Sequence, residues 1–100
     1  MSSEYEEMKL QVEALGEAVS DLEDKANEAK EKMDSGKQAL DDYREQNPAA
    51  AMGDETLEEL AKVYFELHTA HTNAVLDCEQ KRSECVALLR TMQEFLRRED

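Results

Sequence analysis

The stretch Asn47-Pro48-Ala49-Ala50-Ala51-Met52-Gly53-Asp54 interrupts a chain that is otherwise patterned for helix on both sides. A residue before proline is pushed out of helical geometry, so Asn47 ends a helix while Pro48 suits the first position of a short turn. Gly53 can adopt the positive φ that L-residues avoid, and Asp54 can cap whatever follows. These residues predict one extra turn and then a reversal of direction, a hinge over 47–54.

On the N-terminal side the apolar residues recur in alternating steps of three and four. The seam runs Tyr5, Met8, Val12, Leu15, Val19, Leu22 and continues through Ala26, Ala29, Met33, Gly36, Leu40 and Tyr43. This is a coiled-coil repeat, with its seam at the a and d positions of a heptad. Ser2 or Ser3 can cap this helix, with Glu6 completing a capping box on Ser3. The helix is expected over about 3–46. Lys9, Lys25, Lys30, Lys32 and Lys37 fall at the e and g positions, where their aliphatic stems can cover the seam edges.

On the other side Asp54, or Thr56 with Glu59 three residues on, can cap a second helix over about 55–98. Its seam begins Leu57, Leu60, Tyr64, Leu67, His71, Ala74 and ends Cys78, Lys81, Cys85, Leu88, Met92, Phe95. Folding back at the hinge sets Tyr5 opposite Phe95, Met8 opposite Met92, Leu22 opposite Cys78, Gly36 opposite Tyr64 and Tyr43 opposite Leu57. Every a then meets a d, as antiparallel helices require, and Lys25 lies opposite Asp77. A helical glycine costs about 1 kcal/mol relative to alanine, so room for Tyr64 is a reason to keep Gly36. A parallel pair of chains with the hinge straightened would instead stack Gly36 on Gly36 and Lys81 on Lys81, both poor layers. The expected fold is therefore all-α: a single antiparallel coiled-coil hairpin over 1–100, pairing further into a helical bundle.

The reason to expect further pairing lies on the second helix. Beside its seam runs a stripe of Ala61, Phe65, Val75, Leu76, Val86, Leu89 and Leu96, whereas the matching b positions of the first helix include Glu6, Glu13, Ser20 and Asp34. A two-helix hairpin buries little surface per residue, and small domains commonly need help from association. Phe65, Val75, Leu76, Val86, Leu89 and Leu96 are accordingly the candidate partner-binding residues. Their expected occupant is a second copy or the helices of a partner protein.

Composition excludes several other roles. The formal charge of −13 opposes direct binding to nucleic acid or anionic lipid. No apolar run approaches the roughly 20 residues of a membrane span, and the acidic start lacks the basic region of a signal peptide. A cytoplasmic, reducing location is expected, which suits two unpaired cysteines. Cys78 and Cys85, two helical turns apart, are separated by about 10.5 Å along the axis. That exceeds the roughly 7 Å between Cα atoms that a disulfide allows, so they read as small seam thiols.

His68 and His71 have a spacing that can serve one metal, but no third ligand matches it, and they read as seam-edge residues or a pH-sensitive contact. Lys81, the charge within the seam, reads as a side chain that snorkels outward and helps to set register. No pattern calls for a catalytic residue, a metal, a cofactor or a small-molecule substrate, and no enzyme is expected. The expected function is a non-enzymatic protein–protein interaction module: a scaffold, tether or assembly subunit. The alternative is a small acidic chaperone or regulatory subunit that covers a helix of a client protein.

Overall fold

The computed structural model describes residues 3–50 and 53–99, the side chain of residue 99 excepted. It contains two long helices, α1 (Ser3–Gln46) and α2 (Glu55–Glu99), packed against each other as an all-α helical hairpin. Each helix carries charges that complement its macrodipole. Glu4 and Glu6 lie in the first turn of α1 and Arg44 in its last, while Glu55 and Glu58 open α2 and Arg97 and Arg98 close it. Ser3 is already helical, so a cap at Ser2 lies outside the described residues.

The reversal is built from local hydrogen bonds. Asn47 ends α1 by donating its backbone N–H and its side-chain Nδ2 to the Tyr43 carbonyl, at 2.9 and 3.0 Å. A single turn follows, closed by Ala50 N–H to the Asn47 carbonyl at 2.9 Å. Gly53 has φ 100°, a conformation that a side chain would strain. Asp54 then caps α2, its Oδ1 accepting the Leu57 N–H at 2.9 Å, and its carbonyl accepts the Glu58 N–H at 3.0 Å. Ala51 and Met52, also part of the expected hinge, lie outside the described residues.

The chain divides into two compact units: a terminal unit of Met1–Asp24 with Val75–Asp100, and a turn unit of Lys25–Ala74. In the terminal unit the antiparallel register is set by Tyr5 and Phe95, stacked with ring centroids 6.5 Å apart and planes inclined by 19°. Further along, Cys78 is buried and its thiol points at the Val19 carbonyl, 3.9 Å away. The seam residues from Tyr5 to Leu22 and from Cys78 to Phe95 are all buried or half-buried, as the heptad pattern predicts. Ala18 joins them, beside the seam.

In the turn unit the seam residues from Ala26 to Tyr43 and from Leu57 to Ala74 are likewise buried or half-buried, with Leu40 the most enclosed. Gly36 does meet α2, but the contact differs from the expectation. A Cβ on Gly36 would stand 2.8 Å from Leu67 Cδ1 and 3.8 Å from the Tyr64 Cα. It is the Leu67 side chain that fills the space the glycine leaves. The Tyr64 ring lies edge-on to His68, one helical turn along, with centroids 6.3 Å apart. The heptad spacing gives the level of each residue but not the rotamer that occupies the gap.

Candidate functional site

An amphipathic helix turns its apolar residues inward, so apolar side chains left outside mark where a surface remains unpartnered. In the turn unit this describes Phe65, 70% exposed, with the small Ala61 also exposed beside it. Thr69, one turn further on, donates its hydroxyl to the Phe65 carbonyl at 3.0 Å. Val63, on another face, is exposed as well and was not part of the stripe read from the sequence.

In the terminal unit the exposed stripe residues on α2 are Leu76, Val86, Leu89 and Leu96, with exposures between 42% and 56%. Val75 is different. It is half-buried, so it takes part in the packing of the hairpin and is a poorer candidate for contact with a partner than its neighbours. On α1 the heptad reading passed over Leu10, which is 64% exposed at an outward-facing f position. The signal was available, as a lone leucine on a face otherwise occupied by Glu6, Glu13 and Glu17.

Arginines border the apolar residues of α2. Val86 and Ala87 lie in an open groove whose rim includes Glu79 as well as Arg82 and Arg90. Arg82 is held by Glu23 of α1, with Nη2 to Oε1 at 2.6 Å, and also approaches the Cys78 thiol at 3.7 Å. The Glu23 carboxylate raises the Arg82 pKa, strengthening a guanidinium that is charged in any case. Arg90 and Arg97 are exposed and make no salt bridge among the described residues. Such a surface can bury aliphatic side chains and present guanidinium groups to carboxylates at the same time.

The remaining chemistry-bearing residues have structural surroundings. Cys78 and Cys85 are both free. Lys81 is half-buried and its ammonium reaches outward to Glu84, 3.1 Å away on the same helix, the snorkelling arrangement expected of a charge in a seam. His68 is exposed against Tyr64 and His71 is half-buried; among the described residues no group of three potential ligands gathers in a geometry that could hold a metal ion.

Tyr43 and Asp54 form a contact that the sequence reading missed. The Tyr43 hydroxyl donates to both oxygens of the capping carboxylate, at 2.9 Å each. The Leu57 N–H first, and the Tyr43 hydroxyl second, hold the Asp54 pKa below its ordinary value. Hydrogen bonding to that carboxylate is in turn the main reason the Tyr43 pKa is raised. The end of α1 is thereby tied to the start of α2. This contact serves the fold rather than a ligand. No described helix is long and apolar enough to cross a membrane. Comparison with known protein families, with curated proteins and with solved structures finds no match for this chain.

Proposed function

We propose that this chain is a non-enzymatic interaction module, a scaffold or assembly subunit that associates with other helices through the exposed apolar side chains of α2. The observation that carries this reading is the contrast within α2: seam residues such as Leu67 and Leu88 are half-buried, yet Phe65, Leu76 and Leu96 stay outside at 70%, 56% and 48%. Burying one such side chain contributes about 1.5–3 kcal/mol, so several must dock together to offset an association cost of about 4–15 kcal/mol. Helix addition along a groove is the recognition mode that suits such a surface. The two free cysteines favour a reducing, cytoplasmic setting.

The test is a double substitution, Leu76→Glu with Leu89→Glu, assayed for binding by immobilised protein and for helicity by circular dichroism. Both side chains lie outside the seam, so helicity should persist while association falls by orders of magnitude. A double variant that keeps every association of the parent would overturn the proposal. Loss of helicity together with association would show that these side chains belong to an obligate core.

A further inference from the structure

We infer that the occupant of the terminal unit's exposed surface is a second copy of the same unit, related by a two-fold axis running along the helices, so that α2 of each copy lies against α1 of the other. This deepens the interaction-module reading and rests on it. Three observations within the terminal unit carry it.

The first is charge. Over residues 3–24, α1 bears Glu6, Glu7, Glu13, Glu17 and further acids against Lys9 as its sole base, whereas at the matching levels of α2, 76–97, Lys81, Arg82, Arg90 and Arg97 balance Asp77, Glu79, Glu84 and Glu94, with Arg82 and Arg90 beside Val86. The acid excess of one helix is thus met by arginines that flank the apolar residues of the other. Within the copy that complementarity is used by the Arg82–Glu23 pair, while Arg90 and Arg97 make no salt bridge among the described residues.

The second is level. The Tyr5–Phe95 stack and the Val19–Cys78 contact place Leu10 of α1 at the same height as Leu89 and Arg90 of α2. Rotation about an axis parallel to the helices preserves height. Leu10, 64% exposed, therefore meets Leu89 and Val86 of the second copy, each 42% exposed. Glu13 comes beside Arg90 and Glu6 beside Arg97, and symmetry makes each contact twice. Placing the two-fold axis across the helices instead, at Val86, would set Arg82 against Arg90 and join two arginine-bearing faces.

The third is space. A Cβ on Gly16 would find nothing within 4 Å, so this point on the flank of α1, close in height to Val86, is open to the approach of another helix. Leu10 and the acidic face of α1 beside it thus complement the stripe of α2 in polarity and charge, with Gly16 leaving the edge of that face unobstructed.

The experiment uses the full chain. Sedimentation equilibrium over a concentration series should give a dimer that dissociates at low concentration, and Leu10→Glu and Leu89→Glu should each leave a helical monomer. Glu13→Arg and Arg90→Glu should each raise the dimer Kd about tenfold, because attraction becomes repulsion at two symmetric sites, and together in one chain they should restore it. For orientation, chains carrying Leu10→Cys are mixed with chains carrying Leu89→Cys, both on a Cys78→Ala, Cys85→Ala background, and oxidised. Crosslinking between the two species supports the inference. Crosslinking of the Leu89→Cys chain to itself would overturn this arrangement. A parent that stays monomeric at every concentration would overturn the second copy as occupant, while the binding assay with Leu76→Glu and Leu89→Glu still decides the broader reading separately.

Discussion

The terminal unit and the turn unit share one heptad pattern but are held together differently. In the turn unit two ties lie close in sequence: Tyr43 bonds Asp54 across the reversal and Asn47 closes α1. Each unit has one enclosed side chain, Leu40 and Cys78, both at 6% exposure. In the terminal unit the contacts join residues remote in sequence, the Tyr5–Phe95 stack and the Glu23–Arg82 pair among them. Bringing distant segments together costs more chain entropy than closing a short loop. The unit that incurs the larger cost is also the one that exposes Leu10, Leu76, Val86, Leu89 and Leu96. Local ties thus hold the turn unit although Phe65 and Val63 stay exposed there, whereas the terminal unit combines contacts remote in sequence with a larger set of exposed apolar side chains.

The strongest test of that contrast is to remove the buried side chain of each unit. Leu40→Ala should cost about 2–3 kcal/mol in urea unfolding, since a core leucine is lost and a cavity remains. Cys78→Ala should cost about 1 kcal/mol, because only one small buried group is removed. Equal losses would mean that the turn unit is no more dependent on its core than the terminal unit.

Glycine substitutions give the next largest effect. Gly16→Ala meets open space on a helix and should stabilise the isolated hairpin by about 1 kcal/mol. Gly36→Ala gains the same helical propensity, but its Cβ must displace Leu67 Cδ1, so the melting temperature should rise less or not at all. If Gly36→Ala stabilised as much as Gly16→Ala, the close packing ascribed to the turn unit would not be limiting there.

The smallest expected effect is pH-dependent and belongs to the turn unit. Asp54 has a folded pKa depressed below 3.8, so its contribution is present above that value and is lost as pH falls through the depressed one. Tyr43 has a pKa raised above 10.0, so its hydroxyl contributes fully below 10.0 and ceases to as pH rises through the raised value. At neutral pH Asp54→Asn should melt a few degrees below the parent, and the gap should close well below pH 3.8. Comparing the pair in acid also cancels the relief of repulsion that protonation brings to an acidic chain. A gap that stays constant with pH would show that the tie does not depend on the carboxylate.

The hairpin was legible because its signals are local or periodic. Three-four spacing identifies a helical stripe whatever lies opposite, and Asn47, Pro48, Gly53 and Asp54 carry their turn chemistry in their own backbones and side chains. The apolar stripe of α2 could be read for the same reason. Its exact membership could not: Val75 turns into the packing, while Leu10 on the other helix stays outside. Period alone places a side chain within an arc of the helix, and neighbours on the opposite helix decide whether it is covered.

Two helices, the place where the chain reverses, the antiparallel pairing of their seams and the sign of the charge along each segment were all readable from the residues in order. These follow from backbone propensity and spacing along one chain. It took the packed helices to show that Leu67 rather than the Tyr64 ring fills the gap at Gly36, that Tyr43 reaches the capping carboxylate, and that Arg82 takes Glu23 while Arg90 makes no salt bridge among the described residues. Those outcomes depend on rotamers and on distances between residues far apart in sequence, which exist only once the two helices have been set side by side.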